Sequence, residues 1–204
     1  MKDLLQTAAG YAVAYLDSLA TRRVVPDSDA VTGLKAFDVP LQNAPRDPLL
    51  VIQELDRLGT PATMAMPGPR FFGFVIGGSL PAALAANWLA SAWDQNTGLY
   101  NSTPATSFIE EVALNWIIDL LDLPDGTAGA FVSGTSVAHL TALAAARHSV
   151  LGTAGWDVEA EGLFGAPPIT VVIGAEAHPT LHQALGIIGL GRKRVVEVPV
   201  DNQG

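Results

Sequence analysis

A chain of 204 residues, 49% hydrophobic and 15% charged, is long enough for one sizeable core or a domain with an appendage, and too apolar to be disordered. Its net charge of -9 argues against nucleic acid and anionic membranes as main partners, but leaves small anionic ligands open because backbone amides can bind those locally. The absence of cysteine excludes disulfides, thiolate catalysis and cysteine metal sites, and is compatible with a cytoplasmic protein.

Leu4, Leu5, Ala8, Tyr11, Ala12, Tyr15, Leu16 and Leu19 recur at helical spacing and predict an amphipathic N-terminal helix, which must cover its own core or a second subunit. Asp3, Gln6 and Asp17 interrupt any signal-peptide core. Residues 24–68 carry Pro26, Pro40, Pro45, Pro48, Pro61 and Pro67 and predict an extended, winding segment with one helix near Pro48 to Leu58. Phe71 to Trp93 contains no charged residue, a length that could span a bilayer. Gly73, Gly77, Gly78, Pro81 and Asn87 divide it instead into a Gly-rich loop and a buried helix from about Pro81 to Trp93. A loop, Asp94 to Thr103, precedes a strong amphipathic helix with Ile109, Val112, Ala113, Trp116, Ile117 and Leu120 on one face. Ser107 and Glu110 have capping-box spacing, and Leu123-Pro124-Asp125-Gly126 predicts the closing turn.

The pattern then changes to strand–helix alternation. Gly129 to Val132, Ile169 to Ile173 and Val195 to Val200 read as strands; Ser136 to His148 and Pro179 to Ile188 read as helices. That order predicts an α/β fold with a mainly parallel sheet and right-handed crossovers. Ligands bind such sheets beyond the carboxyl ends of the strands. Three loops are placed there: Ser133-Gly134-Thr135, Gly174 to His178, and whatever follows Val200.

The first loop opens a helix, where unpaired N–H groups and the partial positive charge suit a phosphate; Gly134 permits close approach and Thr135 and Ser136 add hydroxyl donors. A plain Ser/Thr cap with no ligand is the alternative. Neither a Walker loop nor a G-x-G-x-x-G fingerprint is present. In the second loop His178 precedes Pro179, so it reads as a helix cap or as a flat ring set to stack on a planar ligand. His182 stands four residues on, but Pro179 occupies the place of a metalloprotease glutamate, so no metal site is assigned. His139 and His148, on the alanine-rich helix, read as structural or exposed, and no G-x-S-x-G nucleophile elbow is present.

Taken in order, Arg70-Phe-Phe-Gly73, Asp94-Gln-Asn96, Thr103-Pro-Ala-Thr-Ser-Phe-Ile-Glu110, Phe131-Val-Ser-Gly-Thr-Ser-Val-Ala-His-Leu-Thr-Ala-Leu143 with Arg147, and Ala175-Glu-Ala-His178 resemble the group II pyridoxal-phosphate (PLP) dependent amino-acid decarboxylases, a family that includes aromatic-amino-acid, glutamate and diaminobutyrate decarboxylases. The resemblance covers about residue 30 to the end. It implies fold type I, the aspartate-aminotransferase-like fold: residues 69–204 would be the first part of the PLP-binding large domain, and residues 1–68 a helical and extended N-terminal segment. It implies pyridoxal 5'-phosphate as cofactor, an amino-acid substrate, and a homodimer with its active sites at the subunit interface. Thr135 and Ser136 would hold the cofactor phosphate, His178 would stack on the pyridine ring as the catalytic residue, and Ser107 falls near a family threonine beside the cofactor. The loop Trp93 to Thr103 would line the substrate pocket.

The sequence departs from the family pattern at Thr135, usually a second glycine, at Val137, usually glutamate, and at His139, often asparagine. PLP chemistry also needs a lysine that holds the cofactor covalently and an acidic partner for the pyridinium nitrogen. Of Lys2, Lys35 and Lys193, none lies in the family's Asp-x-His-Lys setting. The expectation is therefore a decarboxylase whose lysine lies on a downstream polypeptide or missing domain. The alternatives are a non-catalytic paralogue serving as a dimerisation or regulatory partner, and another fold type I enzyme such as an aminotransferase or carbon–carbon lyase.

Overall fold

Among the described residues four helices begin with a proline, whose fixed φ and missing N–H suit the first turn. The computed structural model describes residues 1–201 and divides the chain into a first unit, Met1–Gln95, and a second that begins at Asn96.

In the first unit, α1 (Lys2–Ser18) matches the predicted amphipathic helix, with Asp3 in its first turn where a negative charge meets the positive helix end. Tyr15 anchors it: the phenol donates to the Met64 carbonyl at 3.1 Å, and the Arg22 guanidinium lies 4.4 Å from the ring centroid. Residues 24–68 are more helical than expected. Besides α3 (Pro48–Gly59), they form α2 (Ser28–Gly33) and 3-10 turns at Leu34–Phe37 and Thr60–Ala62. No proline falls between Pro26 and Pro40, so nothing local prevents helix there. Asp47 caps α3 by accepting from the Leu49 N–H at 2.9 Å. The uncharged stretch resolves into a loop and α4 (Pro81–Trp93), closed by Asp94 in the left-handed region at φ 49°, but the helix expected to be buried has no buried residue. No helix among the described residues is long and apolar enough to cross a membrane.

In the second unit, Thr103 is buried, and its N–H and hydroxyl both bond to the Leu99 carbonyl at 3.1 Å. With Thr103 fixed, α5 (Pro104–Leu120) starts one turn before the expected capping box. Ser107 therefore lies inside the first turn, its N–H on the Thr103 carbonyl at 3.1 Å, and the Ser107–Glu110 box does not form. The predicted turn follows: the Thr127 N–H reaches the Pro124 carbonyl at 3.1 Å across Gly126, whose φ of +79° favours glycine.

The expected strand at Gly129 to Val132 does not form; the segment has no ladder partner among the described residues. A strand exists only by pairing, and its apolar composition alone cannot supply the neighbour. The alanine-rich helix, α6 (Thr135–Thr153), runs past His148, and α7 (Val158–Glu161) follows, capped by the Asp157 carboxylate. Next come β1 (Val171–Gly174), α8 (Pro179–Ile187) and β2 (Val195–Val198). The strands pair in parallel from Val171 opposite Val195 to Gly174 opposite Val198, so one βαβ unit stands where three strands were expected. Its core gathers Leu151, Val158, Ile173, Ala184 and Leu185, where α6 packs on α7 and α8. Of the expected loop after Val200, only Asp201 is within the described residues.

Candidate functional site

The carboxyl end of β1 turns tightly into α8. The Ala175 N–H bonds to the Val198 carbonyl at 2.9 Å and the Ala177 N–H to the Gly174 carbonyl at 3.0 Å, which delivers His178 to the N-cap. Pro179 confines His178 to extended backbone, observed at φ -60° and ψ 139°. The cap reading of His178 is realised: its Nδ1 accepts from the Thr180 N–H at 3.2 Å and lies 2.8 Å from the Thr180 hydroxyl. The ring is otherwise exposed.

The Thr180 hydroxyl also lies 3.2 Å from Nδ1 of His139 on α6. At the other end of α8, the Arg147 guanidinium donates to the Ile188 carbonyl at 2.8 Å, satisfying an orphan helix carbonyl. Both ends of α8 are thus pinned to α6, and His178 is held close to the start of that helix. Arg147 Nε is buried without a hydrogen-bond partner among the described residues.

The α6 N-terminus is open. Gly134 is its N-cap in extended backbone, and no side chain caps the helix. Gly134 accepts from the Val137 and Ala138 N–H groups, whereas the Thr135 and Ser136 N–H groups have no acceptor among the described residues. A Cβ at Gly134 would meet nothing within 4 Å. Open space, two free amides, two hydroxyls and the helix dipole together suit a phosphate.

Ser107 is half-buried on α5 and takes no part in the hydrogen bonds joining α6 and α8. The loop Trp93 to Thr103 straddles the division between the two units. His182 is engaged elsewhere, its Nδ1 3.3 Å from the Arg192 carbonyl. Thr180 and His139 were not candidates from sequence. The usable signal was weak: His139 follows Ser136 by three residues and so shares its helix face, and Thr180 sits in the turn that His178 opens.

A model of the pyridoxal-dependent decarboxylase conserved domain matches residues 32–204. Tryptophan decarboxylase 1 of Oryza sativa subsp. japonica is 29% identical over 171 residues, covering 78% of this chain and 32% of the relative. Aromatic-L-amino-acid decarboxylase of Bacillus atrophaeus is 25% identical over 203 residues, covering 98% of this chain and 40% of the relative. Among solved structures, mouse CSAD matches with a TM-score of 0.88 at 23% identity over 100% of this chain and 43% of that one. Oryza sativa TDC, solved with PLP and tryptamine, matches with a TM-score of 0.84 at 22% identity over 99% and 42%. The fold is therefore that of the PLP-dependent decarboxylases, a partial fold type I large domain preceded by helices. The chain belongs to the pyridoxal-dependent decarboxylase family. It spans 32% to 40% of the length of these two curated relatives.

The residues present fit the phosphate and the ring of that family's cofactor, through the open α6 N-terminus and the exposed imidazole. Lys193 precedes β2, at the end of the parallel pair opposite Gly174 and His178.

Proposed function

We propose that this chain is the cofactor-cradling front part of a PLP-dependent L-amino-acid decarboxylase. The observation that carries the reading is the tie between Thr180 and His139, which sets an exposed ring beside an uncapped helix N-terminus within a family-matching chain. Thr135 and Ser136 hold the cofactor phosphate through their amides and hydroxyls. His178 lies against the pyridine ring and fixes its plane, while Ser107 is assigned beside the cofactor by the family resemblance alone. When bound, PLP supplies an electron sink for the pair released as the α-carboxylate leaves. The chain's own part is to bind and orient. The lysine and the acidic partner of the pyridinium nitrogen come from another part of the protein or from a second polypeptide.

Large apolar side chains left at the surface support a covering partner, either the remaining domain or a second copy in a homodimer. On α5, Trp116 is 72% and Leu120 83% exposed; Phe131 in the unpaired segment is 53% exposed. The test is to add PLP and an L-amino-acid panel, aromatic, acidic and sulfinic, to the complete protein. A visible cofactor absorbance and release of carbon dioxide are expected. Ser136→Ala should weaken PLP binding roughly 10- to 150-fold, the loss of one charge-assisted hydrogen bond of about 1.5–3 kcal/mol, each ~1.4 kcal/mol being a factor of ten. Amino-group transfer without carbon dioxide would support the aminotransferase alternative, and failure to bind PLP would support the non-catalytic one.

A further inference from the structure

We propose that His139 is a positioning residue that acts through the Thr180 hydroxyl to fix the tautomer and ring plane of His178. The inference rests on the reading of His178 as a cofactor-facing ring, and deepens it.

Donor counting carries the argument. A backbone N–H can only donate, so the bond from the Thr180 N–H makes His178 Nδ1 an acceptor. Neutral His178 then carries its proton on Nε2. The Thr180 hydroxyl oxygen lies 2.8 Å from that same Nδ1, and two lone pairs would repel at this distance. The hydroxyl hydrogen therefore points to His178. This leaves only a lone pair on Thr180 Oγ1 for His139, 3.2 Å away, so His139 must donate from Nδ1. The proton order runs from His139 Nδ1–H to Thr180 Oγ1–H to His178 Nδ1.

Two consequences follow. Two donors converging on one ring nitrogen oppose rotation of the imidazole, so the face it offers is set before any ligand arrives. The Nε2–H is left as a donor on the exposed edge of the ring. His139 and Thr180 are both half-buried, which shields the chain from competing water better than a surface contact would. The link also crosses 41 residues of sequence, so it joins α6 to α8 rather than serving one helix alone.

The test begins with the intact protein without cofactor. Long-range proton–nitrogen correlation NMR should find His139 as the Nδ1–H tautomer and His178 as the Nε2–H tautomer. In Thr180→Val, His139 should revert to the Nε2–H form that predominates in water. His139 found as Nε2–H in the unaltered protein would overturn the proposal whatever the cofactor result. The second arm uses the PLP-loaded protein. His139→Phe removes the donor but keeps a ring; kcat should fall about tenfold, within what misplacing a positioning group costs, with KM little changed. The visible circular dichroism per bound cofactor should fall with it. His139→Asn, whose carboxamide N–H can donate to Thr180, should recover most of both. Unchanged dichroism and kcat in His139→Phe would also overturn the proposal. Absence of PLP binding in the unaltered protein would instead remove the functional reading, while the cofactor-free tautomers stand as their own result.

Discussion

At the residue scale His178 carries two tasks that substitution can separate. It caps α8 through Nδ1 and, on the proposed reading, offers its ring to the cofactor. Asn keeps a short polar acceptor suited to an N-cap but has no ring. In the cofactor-free protein, His178→Ala should lose about 1 kcal/mol of stability to urea, whereas His178→Asn should stay within about 0.5 kcal/mol of the unaltered protein. Both should bind PLP more weakly. Equal stability of all three proteins would mean that the cap contributes nothing. Gly134 shows the complementary case, a position left open rather than filled: its φ of 166° is extended backbone that any residue adopts, so its space, not its flexibility, is what distinguishes it.

At the element scale the packing of α8 on α6 decides whether these groups meet. Leu185, 0% exposed, lies on α8 between the residues that pin its two ends, and Leu151, 1% exposed, lies on α6 one turn beyond Arg147. Leu185→Ala should cost about 2–5 kcal/mol, the lost transfer free energy plus the cavity left behind. Urea unfolding measures it, and hydrogen exchange should show the loss first in α8. A change below about 1 kcal/mol would mean that the helix pair collapses into the void. The same scale explains what was legible beforehand. Pro48, Pro81 and Pro179 marked helix starts because proline acts on its own φ and its own missing N–H. The capping box at Ser107 misled because Pro104 had already opened the helix a turn earlier.

At the scale of the whole molecule the chain buries few large side chains among the described residues and leaves many at the surface. An unpaired apolar segment and a two-stranded sheet add open edges. Expressed by itself, the 204-residue chain should bind a hydrophobic dye strongly and sediment heavier than a monomer. Covering the exposed faces, by a remaining domain or by a second copy, should suppress the dye binding. A protease-resistant monomer with little dye binding would count against a covering partner.

The sequence by itself determined the helix starts at Pro48, Pro81 and Pro179, the turn at Gly126, the order of β1, α8 and β2, the loop that opens α6 at Gly134 and the histidine after β1. Each of these depends on groups within a turn or two of chain, where φ limits, caps and periodicity act directly. Only the tertiary structure decided that, among the described residues, Gly129 to Val132 stays unpaired and the second unit holds one βαβ unit. It alone linked His139 to His178, because that chain of hydrogen bonds joins groups 41 residues apart and exists only once α8 has docked on α6.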